Sequence, residues 1–518
     1  MSLLPLGVRS ATSVRIRTQG LVCALLLLCS CRYNPATEQV ERGLVSEEQE
    51  VALGETLDRE IRASVHVYGG SSRLTGLTRR IGHRLARQSE RPELPWKFRL
   101  LDDPGVNAFA LPGGIVYITR GLVTHLNSEA ELAAVLSHEI AHVTALHGSI
   151  AIRDRERGWR WGGWANGELD LGQGAVDRDQ LRLLAHSRER ELEADRLALR
   201  YLRRAGYPPE AMAGVISLLS RLDVSAGRVP AWSRTHPSPR ARAQALTPLL
   251  ENDPDSLPWD NEYVRALEGS VFGSDPRNGW LENNEYRHGH AGFGVQLPVS
   301  WTKELVAPAV FAASADEKIL LVAAPLFFSD PTVERVLAQF SNSRNLTLYD
   351  RHEYTVGGLP VTRARFRSSE EPVVSGIFQL AQSREGVITI MAVGLEADWA
   401  AHEVAVATVL NSQRLLSDAD RVALQPGTIS VVAATQGQTL RMIAVDPQEL
   451  PILRRINRVT ANEVLDEGRL IKRVPGALAS APPARPPASV TPAPASTASE
   501  PELKAGTSSA GTVPPFAH

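Results

Sequence analysis

The sequence predicts an α+β fold: a mainly helical N-terminal half with a short edge sheet, then a second α+β domain, then a small C-terminal unit. Three observations lead there. Apolar residues recur at helical spacing through residues 128–148, around the run His138-Glu139-Ile140-Ala141-His142. A short alternating run, Ile115 to Leu122, precedes that helix. Beyond residue 286, apolar runs such as Ile319 to Ala324, Ile377 to Ala381 and Val387 to Val393 alternate with helical stretches at 331–340 and 396–411.

Ser128-Glu129-Ala130-Glu131 reads as a capping box that opens the first of these helices. Leu132, Val135, Leu136, Ile140 and Val143 then supply an apolar face, and Gly148 a stop. Histidines four apart lie about 40° apart around a helix, so His138 and His142 can reach one metal ion with Glu139 beside it. Two imidazoles and a carboxylate on a buried helix carry a heavy desolvation cost that a metal compensates. The chemistry this suits is hydrolysis by a zinc-bound water, one Zn2+ per chain, with Glu139 as the base.

A catalytic zinc needs a third protein ligand and an open position. The metzincin pattern would place a Gly at 145 and a His at 148; here these are Ala145 and Gly148, and His147 is one residue out of register. The donor expected instead is Glu191, in the stretch Ser187 to Asp195 that reads as a second helix. Glu191 and Asp195 share a face there, whereas Glu193 points nearly opposite. Asp195 would then orient a ligating histidine from behind. A solvated charged helix is the plain alternative for this stretch.

Four stretches together resemble the membrane-associated and periplasmic zinc metallopeptidases that include HtpX, BepA and the CAAX prenyl endopeptidases. They are Asn107-Ala108-Phe109-Ala110-Leu111-Pro112-Gly113-Gly114 with the strand that follows, the HEIAH run, the E-x-x-x-D of Glu191 and Asp195, and Thr235-His236-Pro237-Ser238-Pro239 with Arg242. The likeness covers roughly residues 45–250 and implies a zincin-like peptidase domain. It implies His138, His142 and Glu191 as zinc ligands and Glu139 as general base. His236 and Arg242 fall where the family places residues near the metal, to occupy the open position or to stabilise the oxyanion; an ordinary loop turn is the alternative for His236-Pro237. Asn107, Ala108, Gly113 and Gly114 would bind substrate as an extended strand, the glycines allowing close backbone approach, or would form a turn, or both.

Arg9, Arg15 and Arg17 precede the apolar run Leu21 to Leu28, too short to span a bilayer and followed by Leu28-Cys29-Ser30-Cys31. This looks like a bacterial lipoprotein signal over residues 1–30, with lipid on Cys31. Arg32 in place of an Asp favours the periplasmic side of the outer membrane. An ordinary secretory signal giving a soluble periplasmic protein is the alternative. Cys23 and Cys29 would leave with the signal, so the mature chain would keep one cysteine and no disulfide. Lys plus Arg number 56 against 58 for Asp plus Glu, which gives no reason to expect nucleic acid.

The peptidase domain is expected over 31–253, and residues 254–286 read as a linker or an irregular wrap onto it. Residues 287–418 form the α+β accessory domain, where Phe293-Gly294-Val295-Gln296-Leu297-Pro298 before Trp301 faintly resembles the opening of PsbP-like domains. Residues 419–474, with Gly437-Gln438-Thr439-Leu440 and Leu465-Asp466-Glu467-Gly468, look like a degenerate LysM domain, either a peptidoglycan contact or a structural remnant. The Pro- and Ala-rich tail 475–518 is expected to be disordered. In the segment Gly158 to Gly174, between the two metal helices, Trp159, Trp161 and Trp164 lie among six glycines, as a lid or as a loop packed under its own aromatics.

The expected function is a lipid-anchored zinc endopeptidase of the bacterial cell envelope, with misfolded or misassembled envelope proteins as substrates. The competing class is an assembly factor or chaperone whose zinc site is closed by His236 as fourth ligand.

Overall fold

The computed structural model describes residues 31–42, 44–64, 67–159, 187–225, 232, 236, 239–250, 259–326, 332–341, 346–369, 372–383 and 386–475. The readings made for the leader 1–30, for Trp161 and Trp164, for Thr235, Pro237 and Ser238, and for the tail beyond 475 lie outside the described residues.

A short hairpin, β1 (Cys31–Asn34) and β2 (Gln39–Arg42), leads into α1 (Glu47–Ser64) and α2 (Ser72–Ala86). A three-stranded sheet follows from β3 (Lys97–Leu101), β4 (Ala108–Leu111) and β5 (Ile115–Thr119), in the order β3-β5-β4. β4 therefore lies at the edge. It turns into β5 through Gly113 and Gly114, whose φ values of 79° and 98° favour glycine. A Cβ on Gly113 would sit 2.6 Å from Val51 Cα, and the Gly113 N–H donates to Glu50 Oε1. The chain's own α1 thus occupies the space read for a substrate backbone at Gly113, and the turn accounts for both glycines.

After α3 (Arg120–His125), the metal-motif helix α4 runs Glu129–Thr144, capped by Ser128, whose hydroxyl accepts from the Glu131 N–H. The reciprocal half of the expected capping box is displaced. The Glu131 carboxylate accepts instead from the Asn127 N–H, at 2.7 Å, and from Arg458. Gly148 is not the stop either. Ala145 and Leu146 close the last turn on Ala141 and Val143, and Leu146, at φ 60° and fully buried, reverses the chain into α5 (His147–Trp159), which contains Gly148. Burying the Leu146 side chain, worth about 1.5–3 kcal/mol, offsets the cost of a left-handed leucine.

α4 packs against α2, α6 (Arg188–Ala205) and α7 (Glu210–Ser225). Leu132, Leu136 and Ile140 meet Leu74, Ile81, Leu197, Leu202 and Ile216 in one core. α6 is capped by Ser187 and ends on Gly206 at φ 74°, so the helix expected over residues 187–195 runs on to Ala205. α8 (Pro239–Leu246) closes the bundle over Asp195.

The stretch read as linker or wrap packs onto this core. Tyr263 is buried there and donates to Val123 O, while Arg120 donates to the carbonyls of Val271 and Gly273. Next comes a seven-stranded antiparallel sheet in the order Leu346–Val356, Leu359–Ser368, Val374–Gln382, Val387–Leu395, Ile319–Leu326, Ala309–Ala313, Thr302–Val306. Alternation puts Ile377, Ile388 and Ile390 under helix Glu396–Asn411 and Phe366, Phe378 and Leu380 under helix Val333–Ser341.

The small C-terminal unit pairs strands Ser430–Ala433 and Leu470–Arg473 around two short helices, Leu440–Ile443 and Leu450–Asn457. It grips the entry to α4. The fully buried Lys472 donates to Thr124 O and Leu126 O at 2.9 and 3.0 Å, and Arg458 clamps Glu131.

Candidate metal centre

His138 and His142 leave α4 on one face and meet Glu191 from α6; all three are buried. His236 reaches the same point from a turn in which its N–H donates to the carbonyl of the buried Trp232. One ligand atom from each of His138, His142, Glu191 and His236 lies within 4.8 Å of all the others.

The separations test whether zinc fits. His138 Nε2 lies 3.0 Å from His142 Nε2, 3.4 Å from Glu191 Oε2 and 3.4 Å from His236 Nδ1. Glu191 Oε1 lies 3.3 Å from His142 Nε2 and 3.1 Å from His236 Nδ1. Tetrahedral zinc with bonds of about 2.0–2.1 Å requires ligand atoms about 3.3 Å apart. The donor set has that size, and two imidazoles and a carboxylate supply the N and O ligands that zinc takes.

Behind the ligands stands a second layer. His138 Nδ1 lies 2.9 Å from Asp195 Oδ1, the orienting role expected of that carboxylate. Arg242 binds Asp195 with two parallel bonds, Nε to Oδ2 at 2.8 Å and Nη2 to Oδ1 at 2.7 Å, and its Nη1 lies 3.0 Å from Glu191 Oε2. It thus bridges the ligand carboxylate of Glu191 and the carboxylate of Asp195 behind it. In this geometry it neutralises two buried acids.

Glu139 is buried, and His236 Nε2 lies 3.6 Å from its Oε1, too long for a hydrogen bond. Burial raises the Glu139 pKa above the usual carboxylate range, against the pull of His236 and His138. Glu191 goes the other way. Burial pushes its pKa up, but His236, His138 and His142 outweigh that and hold it well below the usual range, so it stays an anion.

Sequence reasoning missed His147 and Glu193. His147 Nδ1 lies 2.9 Å from His142 Nδ1, and His147 Nε2 lies 3.0 Å from Glu193 Oε2. The only sequence signal was their presence within five residues of a ligand. At the edge strand, Asn107 is buried, with its Oδ1 lacking a hydrogen-bond partner among the described residues; Ala108 begins β4.

Residues 73–249, the segment that assembles this centre, match the profile of Peptidase family M48, a family that uses zinc. The chain is 30% identical over 278 residues to the beta-barrel assembly-enhancing protease of Yersinia pestis, covering 51% of this chain and 56% of that one. The protein of the same name from Escherichia coli K12 is 30% identical over 272 residues, covering 48% and 55%. The mitochondrial metalloendopeptidase OMA1 of Schizosaccharomyces pombe is 29% identical over 222 residues, covering 42% and 64%. The chain thus spans about half the length of the beta-barrel assembly-enhancing proteases it matches. Among solved structures, cyanobacterial PsbP from Synechocystis covers 26% of this chain and 91% of its own at 15% identity, with a TM-score of 0.21; a likeness of that size carries no argument about the accessory domain.

Proposed function

We propose that this chain is a zinc-dependent endopeptidase of the bacterial cell envelope that hydrolyses misfolded or misassembled proteins, with His236 closing its site at rest. The observation that carries this reading is the convergence of His138, His142, Glu191 and His236 within 4.8 Å, with Glu139 alongside. Zinc, when bound, supplies Lewis-acid polarisation of a carbonyl and of water. Glu139 takes the proton of the attacking water and delivers it to the leaving amine. Asp195, held by Arg242, fixes the ring of His138. An extended substrate adds to the edge strand β4. The matched proteases named for beta-barrel assembly support an envelope substrate.

The second reading, an assembly factor with a closed zinc site, draws on the same His236, because four protein groups fill a structural site whereas a catalytic site keeps one position for solvent. His236→Ala separates the two. With His236 as a gate, hydrolysis of an unfolded protein such as casein rises in this variant while zinc stays bound through His138, His142 and Glu191. A fall of about two to three orders of magnitude, typical for loss of an oxyanion donor, makes His236 a transition-state group and removes the gate. No hydrolysis by either the parent or the variant, with zinc bound in both, leaves the assembly reading.

No helix among the described residues is long and apolar enough to cross a membrane. We propose attachment through lipid at Cys31, with peptidoglycan contact through residues 419–474 as a second envelope link. Cys31→Ser is expected to move the protein from the membrane fraction to the soluble periplasmic fraction, as immunoblotting of fractionated cells would report. A signal-cleaved variant that stays with the membrane argues for another anchor.

A further inference from the structure

We propose that His147 and Glu193 are positioning residues for the metal site, holding His142 in the ring orientation and tautomer that present its Nε2 to the metal. This rests on the zinc-peptidase reading above and adds to it two residues that the donor pattern leaves out.

The argument is a count of ring protons. His142 Nε2 faces Glu191 Oε1 and His138 Nε2, so as a ligand it offers a lone pair there, and its proton sits on Nδ1. That Nδ1–H points at His147 Nδ1, 2.9 Å away, which must then accept. The proton of His147 is left on Nε2, where Glu193 Oε2 receives it at 3.0 Å. Every nitrogen in the relay has one role, and the relay works in only one direction. If His147 Nδ1 carried the proton, His142 Nδ1 would have to accept, its Nε2 would be protonated, and the metal would lose a ligand.

The two ligating histidines of α4 are thus backed in parallel ways. His138 leans on Asp195 directly, and His142 leans on Glu193 through an intervening imidazole. Both carboxylates come from α6, which also supplies Glu191. The reversal at Leu146 makes the second arm possible, because it carries His147 back over the last turn of α4. His147 is almost fully buried, while the Glu193 side chain is about a third exposed.

The test is zinc affinity of the full chain, measured by competition with a chromophoric chelator, beside thermal melts of the metal-free protein. Partners behind a ligand typically contribute 10–100-fold to metal affinity. His147→Ala is expected to weaken zinc binding by that factor. His147→Asn, whose amide oxygen can replace Nδ1 as acceptor, is expected to recover most of the loss. Glu193→Ala, at a half-open position that tolerates truncation, is expected to weaken binding in the same direction by a smaller factor. Zinc affinity within twofold of the parent in both His147→Ala and Glu193→Ala overturns the proposal. So does His147→Asn falling as far as His147→Ala when both melt like the parent. A parent chain that binds no zinc overturns the underlying peptidase reading instead.

Discussion

A chain carrying Glu139→Gln is expected to lose peptide hydrolysis by about 10²–10⁴-fold, the usual contribution of a positioned acid–base group, while still binding about one zinc per chain. The expectation follows from where Glu139 stands. Its neighbours on α4, His138 and His142, point their Nε2 atoms at Glu191, whereas the nearest partner of Glu139 at the site is His236 Nε2 at 3.6 Å. It flanks the donor set without joining it. Gln keeps the volume and the buried hydrogen-bonding capacity but cannot hold a proton in transit. Metal analysis and a casein assay on the same preparation check both halves. Loss of zinc along with activity would make Glu139 a ligand and refute its role as base. The inactive variant is also the tool for finding substrates, since envelope proteins that accumulate in its presence are those the parent removes.

The parts of this site that were legible in the sequence are those set by local periodicity. His138, Glu139 and His142 share a helix opened by Ser128, and Glu191 and Asp195 share a face of a helix opened by Ser187. Spacing alone places such residues together. His147 and Glu193 were illegible for the same reason. Helical spacing continued from α4 turns His147 away from the metal, and only a left-handed leucine, a conformation no leucine advertises, brings it back. The displaced capping box has a different cause. Glu131 is drawn from Ser128 by Arg458, a partner 327 residues further along the chain, and no window of sequence contains both. In the accessory domain the apolar strands and both helices stood out, but strand Leu346–Val356 did not, because this edge strand is mostly exposed and polar, with Asp350, Arg351, His352 and Glu353 in a row.

Removing Glu191 should have the most severe consequences for the metal and for the fold around it. Glu191 is fully buried and touches all three imidazoles of the centre, at 3.4, 3.3 and 3.1 Å, as well as Arg242 at 3.0 Å. Glu191→Ala deletes a ligand, so zinc affinity is expected to fall by more than the roughly 100-fold upper range seen for partners one step removed. It also leaves the buried Arg242 cation with Asp195 as its remaining close carboxylate, and breaking a buried charge contact of this kind costs about 3–5 kcal/mol. Chelator competition and denaturant melts of the metal-free chain measure the two effects separately. Glu191→Gln should fall between, because it keeps an oxygen donor and the packing but gives up the charge that holds Arg242. If Glu191→Ala keeps parental zinc affinity, the third ligand is His236, the other donor within reach among the described residues, and the site is a three-histidine centre.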